Sequence, residues 1–364
     1  MAQETVKKPL NGLCYGPFRA GQNPGVIYPS EIELKQDLGV LASLTAKIRT
    51  YGNENNLALI PKLCAQTGVA CYAGAWIDSD KTADEQQLAT LVAIATNNYP
   101  TTKGFIVGNK YMLRYEQTAF ASARTNLLQY VRRLKASTGA PVGVADGWHI
   151  WNNDFTRDLV NELDFVLVHI HPFWESQYTT PNLTIDTALA HVTNKYNLIA
   201  RKYPGKRIII GETGWPSRGS RNFGAVASEG NQARFVKEFT DWAAQNNVEY
   251  FLFQGFDEPW KGTTLAEGGF GVLNTTRPFS PKPSLSKLLS NRMELRLENS
   301  AAGLRFTAGT FERNHYVLEQ LSLRLPGTWQ TVTSFTGTVG TTTTDLLLPS
   351  APPFDSLYRV KAEF

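Results

Sequence analysis

Two apolar, strand-like runs end on residues able to do chemistry. Phe105-Ile106-Val107 stops at Gly108-Asn109-Lys110, and Ile208-Ile209-Ile210 runs into Gly211-Glu212 within the segment GETGWPS. A carboxylate at the end of a buried strand has to reach a polar cleft, because an unpaired charge in an apolar medium is too costly. Gly211 and Gly214 leave room for that carboxylate to be approached. Lys110 is either a solvated stop signal or a side chain aimed into a site. At the ends of other apolar runs stand Tyr15, Tyr51, Trp76, Asp146, Trp148, His169 and His171, and the loops beyond them add Trp174, Trp215, Asp257, Glu258 and Trp260. Aromatic rings offer platforms to the C–H faces of sugars, while carboxylates and amides bond to hydroxyl groups, so this set points to a carbohydrate cleft. His169-Ile170-His171 also suggests a metal pair, since residues two apart on a strand share a face. No third ligand stands at a suitable spacing.

These residues need elements to bring them together. Strand-like runs fall at about 12–16, 46–51, 69–75, 103–109, 141–146, 164–170, 207–212 and 248–256. Helix-like segments lie between them. In SEIELKQDLGVLASL, Ser30 and Glu33 form a capping box, and EQTAFASARTNLLQYVRRLKASTG is closed by Gly139. Eight alternating units predict an α/β fold of the (β/α)8 barrel type, with the active site at the C-terminal ends of parallel strands. A doubly wound sheet would want a glycine-rich phosphate turn after the first strand, and YGPFRAGQNPG lacks that spacing. After Leu289 the texture changes to Thr- and Val-rich alternation. Residues 1–290 therefore read as the barrel domain and 291–364 as a small all-β, sandwich-like domain, similar to modules appended to many secreted bacterial proteins.

Composition narrows the function. The chain is 42% hydrophobic and 11% aromatic, which suits a globular protein with a substantial core. Its 36 basic and 32 acidic residues are mixed along the chain without a basic stripe, so no nucleic-acid partner is expected. Cys14, Cys64 and Cys71 are too few for a disulfide framework and read as small buried hydrophobes. No window is apolar enough for membrane insertion. The start, MAQETVKKPL, shows no signal-peptide core, so a secreted or periplasmic location would require a leader removed earlier. The chain is expected to act as a monomer without cofactor or metal.

Glu-Thr-Gly-Trp-Pro-Ser at 212–217 resembles the nucleophile signature of glycoside hydrolase family 17, the retaining β-1,3-glucanases and glucan transglycosylases. The likeness, of bacterial type, extends through YGPFR at 15–19, RTYGN at 49–53, VGN at 107–109, HIHPFWE at 169–175, NQARF at 231–235, FDEPWKG at 256–262 and EGGFGVL at 267–273. It implies Glu212 as nucleophile and Asn109 as the amide that holds the sugar 2-hydroxyl. It also implies Glu258, Lys261 and Glu267 as a charged network beside the nucleophile, and Tyr51 and Trp76 as cleft positions. His171 falls where other members carry a tyrosine next to the nucleophile, which suggests a hydrogen bond to Glu212.

The family motif reads Val-Gly-Asn-Glu where this chain reads Val-Gly-Asn-Lys, so Lys110 occupies the acid/base position. A retaining glycosidase uses two carboxyl groups about 5–5.5 Å apart. A lysine, with a reference pKa near 10.4, is a poor acid and, once charged, no base. Its ammonium is expected to pair with Glu212 and to occupy leaving-group space. Glu116, Glu175, Asp146 and Asp257 are other carboxylates in or near the mouth, and none is an obvious replacement. The expected function is a retaining β-1,3-glucan hydrolase or transglycosylase altered by Lys110, and the alternative is a β-glucan-binding protein that no longer cleaves.

Overall fold

The computed structural model describes residues 8–275 and 279–289 and, beyond them, six strands between 296 and 363. Residues 10–289 form one compact unit, and the later strands belong to a second.

In the first unit eight parallel strands close into a barrel in chain order: β1 (Leu10–Cys14), β2 (Thr45–Arg49), β3 (Ala70–Ala75), β4 (Thr102–Asn109), β5 (Val142–Gly147), β6 (Phe165–His169), β7 (Arg207–Thr213) and β8 (Tyr250–Leu252). Leu13 opposite Leu252 closes the ring. The expected (β/α)8 barrel is therefore the fold, with strand limits within a few residues of those read from the sequence. The largest difference is the last strand, which ends at Leu252 rather than near 256. Beyond it the backbone takes new partners: Gln254 N–H donates to Phe270 O and Val272 N–H returns the bond to Gln254 O, so the ladder gives way to a loop.

Local chemistry sets the helices. Ser30 Oγ accepts from Glu33 N–H and Glu33 Oε2 accepts from Ser30 N–H, the capping box that starts the helix Glu31–Leu44. The helix Phe120–Thr138 stops at Gly139, which sits in the left-handed region at φ +62° where a β-carbon is disfavoured. No helix among the described residues is long and apolar enough to cross a membrane. The three cysteines are buried and unpaired.

The barrel floor is sealed by aromatic rings. Tyr72 packs edge-on against Phe165 and Phe251, with centroids 5.6 and 5.2 Å apart. Gly104 and Gly143 face Phe165, and an added Cβ would lie 2.8 and 2.3 Å from its ring. Below the rings, Glu249 pairs with Lys47 at 2.8 Å and with Arg207 at 2.6 Å. This floor leaves the opposite end of the barrel as the open one.

In the second unit β9 (Arg296–Ser300), β10 (Gly303–Gly309) and β13 (Thr343–Leu348) form one antiparallel sheet in the order β13-β10-β9. A second combines β11 (His315–Ser322), β12 (Gln330–Thr336) and β14 (Ser356–Glu363) in the order β12-β11-β14. The alternating pattern after Leu289 thus does form short antiparallel strands.

Gly211 and Gly214 play a different part from the one the sequence suggests. The space beside them is filled: a Cβ on Gly211 would lie 2.7 Å from Leu167 and 2.9 Å from the His169 ring, and one on Gly214 would lie 2.1 Å from the carbonyl oxygen of Phe253. They let β7 approach its neighbours, not a ligand approach Glu212. Gly214→Ala is expected to cost about 2 kcal/mol or more of unfolding free energy, because backbone would have to move. Gly230→Ala, in a helix with no atom within 4 Å of its Cβ, should stabilise by about 0.5–1 kcal/mol. Denaturant titration of the two variants checks the contrast.

Candidate active site

The site is built from strand ends. Arg49 ends β2, Asn109 ends β4, His169 ends β6 and Glu212 is the penultimate residue of β7. All four are buried, with Arg49 fully so and Glu212 only 1% exposed. Asn109 Oδ1 accepts from Arg49 Nη2 at 2.8 Å and lies 2.9 Å from His169 Nε2. Since an amide oxygen only accepts, His169 donates from Nε2. Two donors on the oxygen turn the Asn109 NH2 group away from them.

Glu212 lies among positive and hydrogen-bonding groups. Oε2 is 2.8 Å from Lys110 Nζ and 2.9 Å from His171 Nε2, while Oε1 lies 3.7 Å from Arg49 Nη1 and 3.8 Å from His169 Nε2. Oε1 is sealed from solvent and has no hydrogen-bond partner. Burial alone would raise the carboxyl; His169, Lys110, the His171 hydrogen bond and Arg49 reverse that and hold it well below the usual carboxylate range. Burial, reinforced by Arg49, Lys110 and His171, holds the His169 imidazole well below its ordinary value despite Glu212.

Lys110 reaches Glu212 through an unusual turn. Its backbone lies in the left-handed region at φ +54°, which costs a residue with a β-carbon roughly 1 kcal/mol. Strand β5 holds it there: Lys110 N–H donates to Ala145 O, and Asp146 Oδ2 accepts from Met112 and Leu113 N–H. Asp146 is thus a brace. Its other oxygen accepts from Gly147 N–H, and burial pushes the carboxyl up to about 7 against these bonds and the nearby Lys110.

Two hollows meet at Lys110. A cleft of about 1000 Å³ runs over the ends of the first strands, lined by Tyr51, Trp76, Asn109, Glu212, Glu258 and Trp260 among others. A groove of about 250 Å³ lies on the other side, against His171 and Trp174. Lys110, Phe253 and Glu267 border both. Trp76 and Trp260 are 39% and 43% exposed, so their rings are open to a ligand. Arg114 covers the Trp76 ring at 4.7 Å. Lys261 joins Glu258 at 2.5 Å and stands 3.7 Å from Glu267, which assembles the charged trio expected from the sequence. Gly16 admits Glu258, whose Oε1 would lie 2.1 Å from an added Cβ.

Several expected ligand contacts are structural. Trp215 is fully buried, packs against Phe173 and donates from its indole to Val226 O. Asp257 is buried between Lys282, at 2.8 Å, and Arg218. Trp148 lines neither hollow; its indole donates to Glu175 Oε2, and Lys195 lies 3.8 Å above its ring. The polar atoms of these residues and of Asp146, expected as sugar contacts, are paired inside the loops. His169 lies under Asn109 rather than on the cleft wall. Tyr15 borders the cleft but is buried, with its hydroxyl donating to Asp37.

Other carboxylates near the mouth are committed. Glu175 accepts from His171 N–H and the Trp148 indole and bonds His191 at 2.5 Å, and Glu116 lies 3.7 Å from His149. Arg49 is absent from the residues singled out above, although it stands in the RTYGN block. The signal was a charge closing the apolar run AKIRTY, as informative as Glu212 at the end of its own run.

Residues 12–271 match the BtgE/BtgC glycoside hydrolase domain. The chain belongs to this family. A btgC protein of Aspergillus niger is 33% identical over 318 residues, a match covering 77% of this chain and 44% of the relative. The glucan endo-1,3-beta-glucosidase btgC of Emericella nidulans is 28% identical over 314 residues, covering 77% and 46%. This BtgE/BtgC chain therefore spans less than half the length of those curated relatives. The crystal structure of the glycoside hydrolase family 17 beta-1,3-glucanosyltransferase from Rhizomucor miehei aligns with a TM-score of 0.64 and 28% identity, covering 76% of this chain and 96% of that one. An endo-laminarinase from Formosa, at 23% identity and a TM-score of 0.65, shares the fold. The resemblance to family 17 read from the sequence is borne out.

The ion pair gives a pH test. A depressed carboxyl contributes stability above its unfolded value near 4.3, and that contribution is lost as pH falls through the folded value. Lys110→Met removes one of the groups that depress Glu212, leaving a buried carboxylate less compensated when ionised. The variant is expected to lose more thermal stability at pH 7 than at pH 3, as measured by calorimetry at both values.

Proposed function

We propose that the barrel, residues 10–289, is the working domain of a retaining β-1,3-glucan hydrolase or transglycosylase, with the later strands as an appended domain. In this reading Glu212 is the nucleophile and Lys110 stands at the acid/base position. The observation that carries it is a buried, ionised carboxylate at the end of β7 that lines the long cleft and pairs with Lys110, which borders both hollows. Family membership supports it, as do relatives named glucan endo-1,3-beta-glucosidase and the likeness to a beta-1,3-glucanosyltransferase. The long cleft would hold glucan residues by stacking on Trp76 and Trp260, with the Asn109 NH2 group donating to a sugar hydroxyl. The short groove would take the departing or accepting sugar against Trp174.

Lys110 slows this chemistry. Its ammonium is a weak acid towards the departing oxygen and no base towards water, and loss of such assistance costs about 10²- to 10⁴-fold. Pairing with Glu212 also lowers the basicity of the nucleophile. The second reading, a β-glucan-binding protein that does not cleave, rests on this same ion pair.

Comparing the native chain with Lys110→Glu on laminari-oligosaccharides tests the proposal, with products followed by mass and linkage. The glutamate variant is expected to turn over at least about 100-fold faster than the native protein, and Glu212→Gln in that background should be inactive. No turnover in either form, with binding intact, would favour the binding protein. Trp76→Ala should weaken laminari-oligosaccharide binding by about tenfold in calorimetric titration, the loss of roughly one stacking contact.

A further inference from the structure

The lysine that hinders water-dependent turnover suits a different acceptor. We infer that the glycosyl-enzyme on Glu212 is resolved by a small oxyanion bound to Lys110, for which inorganic phosphate is the probe; this rests on Glu212 being the nucleophile.

The geometry couples the anion site to the state of the nucleophile. Lys110 Nζ lies 2.8 Å from Glu212 Oε2, and its side chain is 33% exposed at the border of both hollows. Among the described residues Glu212 is the only carboxylate within 4.0 Å of it. Once Glu212 becomes an ester it carries no charge, so Lys110 loses its counterion at the stage when an acceptor must bind. His171 Nε2, which also bonds Oε2, loses a charged acceptor at the same stage. The adjoining groove of about 250 Å³ has room for a phosphate-sized ion. Glu267 is the carboxylate bordering that groove, and Lys261 stands 3.7 Å from it. With glutamate at position 110 a second negative charge would face the incoming anion; with lysine the charge attracts it.

The balance of the reaction also favours an anion. Water must lose a proton to a general base as it attacks, and a charged lysine cannot take it. Phosphate arrives as an oxyanion. In the first step a Glu212 oxygen bonds the anomeric carbon, the glycosidic C–O bond breaks, and the departing oxygen takes a proton from a dihydrogenphosphate ion in solution, leaving hydrogenphosphate, while Lys110 stays an ammonium. In the second a hydrogenphosphate oxygen bonds the same carbon and the ester C–O bond to Glu212 breaks. Two inversions give a β-glycosyl phosphate and a shortened glucan, with Glu212 restored to its carboxylate and Lys110 charged throughout.

A 2,4-dinitrophenyl β-laminaribioside tests the second step, because its leaving group needs no proton. The native protein is expected to release a burst of dinitrophenolate equal to the enzyme present and then to turn over slowly. Phosphate should raise the steady rate by about tenfold or more with saturation, and a β-glycosyl phosphate should appear in the ³¹P spectrum. Sulfate at matched ionic strength controls for salt. Lys110→Met should lose the saturable response, while Lys110→Arg should retain it; Lys110→Gln serves if the methionine variant does not fold. A burst without any phosphate effect, or an equal effect in Lys110→Met, overturns the anion acceptor and leaves the nucleophile intact. Absence of a burst, or an equal burst in Glu212→Gln, overturns the assignment of Glu212 and with it this proposal.

Discussion

A carboxylate cannot stay ionised inside a barrel unless the same barrel supplies its counter-charge, and that requirement organises the open end of this protein. Glu212 is 1% exposed, yet it is held well below the usual carboxylate range. The compensation comes from two strand ends, Arg49 and His169, and from two residues just beyond strand ends, Lys110 and His171. Arg49 and His169 approach one oxygen, and Lys110 and His171 bond the other. Asn109 joins Arg49 to His169 through one amide oxygen, which fixes the positions of both. Breaking one partner of such a cluster leaves the others unbalanced, so the residues behave as a unit.

A second tier holds this cluster in place from the loops. Asp146 pins the turn that carries Lys110, and Glu175 pins the loop that carries His171. Asp257, between Lys282 and Arg218, ties the segment after β8 to the segment after β7. These carboxylates stand close to the site without entering it, because each already has its hydrogen bonds satisfied within the fold. The exposed aromatic surface is left to Trp76 and Trp260 over the long cleft and Trp174 in the short groove. The barrel therefore separates the residues that hold Glu212 in place from the aromatic residues that stay open to solvent.

Lys110 makes the residue facing Glu212 an ammonium rather than a second carboxylate. Asn109 ends β4, and Glu258, Lys261 and Glu267 assemble along the same cleft as Glu212. The difference is concentrated in one contact of 2.8 Å. That contact helps to hold the buried Glu212 carboxyl well below the usual carboxylate range, and it is an ion pair only while Glu212 carries its charge.

The order of elements was legible in the chain. Apolar runs of strand length alternate with capped helical segments, and this period fixes eight parallel strands with their polar residues at the C-terminal ends. The capping box at Ser30 and the glycine stop at Gly139 are local features that need no distant partner. Glu212 and Lys110 were also visible, since a charge closing an apolar run must be accounted for. Tertiary structure alone decided which of the other polar and aromatic residues face a ligand. Trp215 and Trp76 look equivalent in sequence, each a tryptophan just after a strand, yet one is fully buried against Phe173 and the other is 39% exposed. Asp146 and Glu212 both end strands, yet one faces backbone N–H groups and the other faces cations. Such choices depend on which partners the closed barrel brings within hydrogen-bonding distance, and those partners lie tens to more than a hundred residues away in the chain.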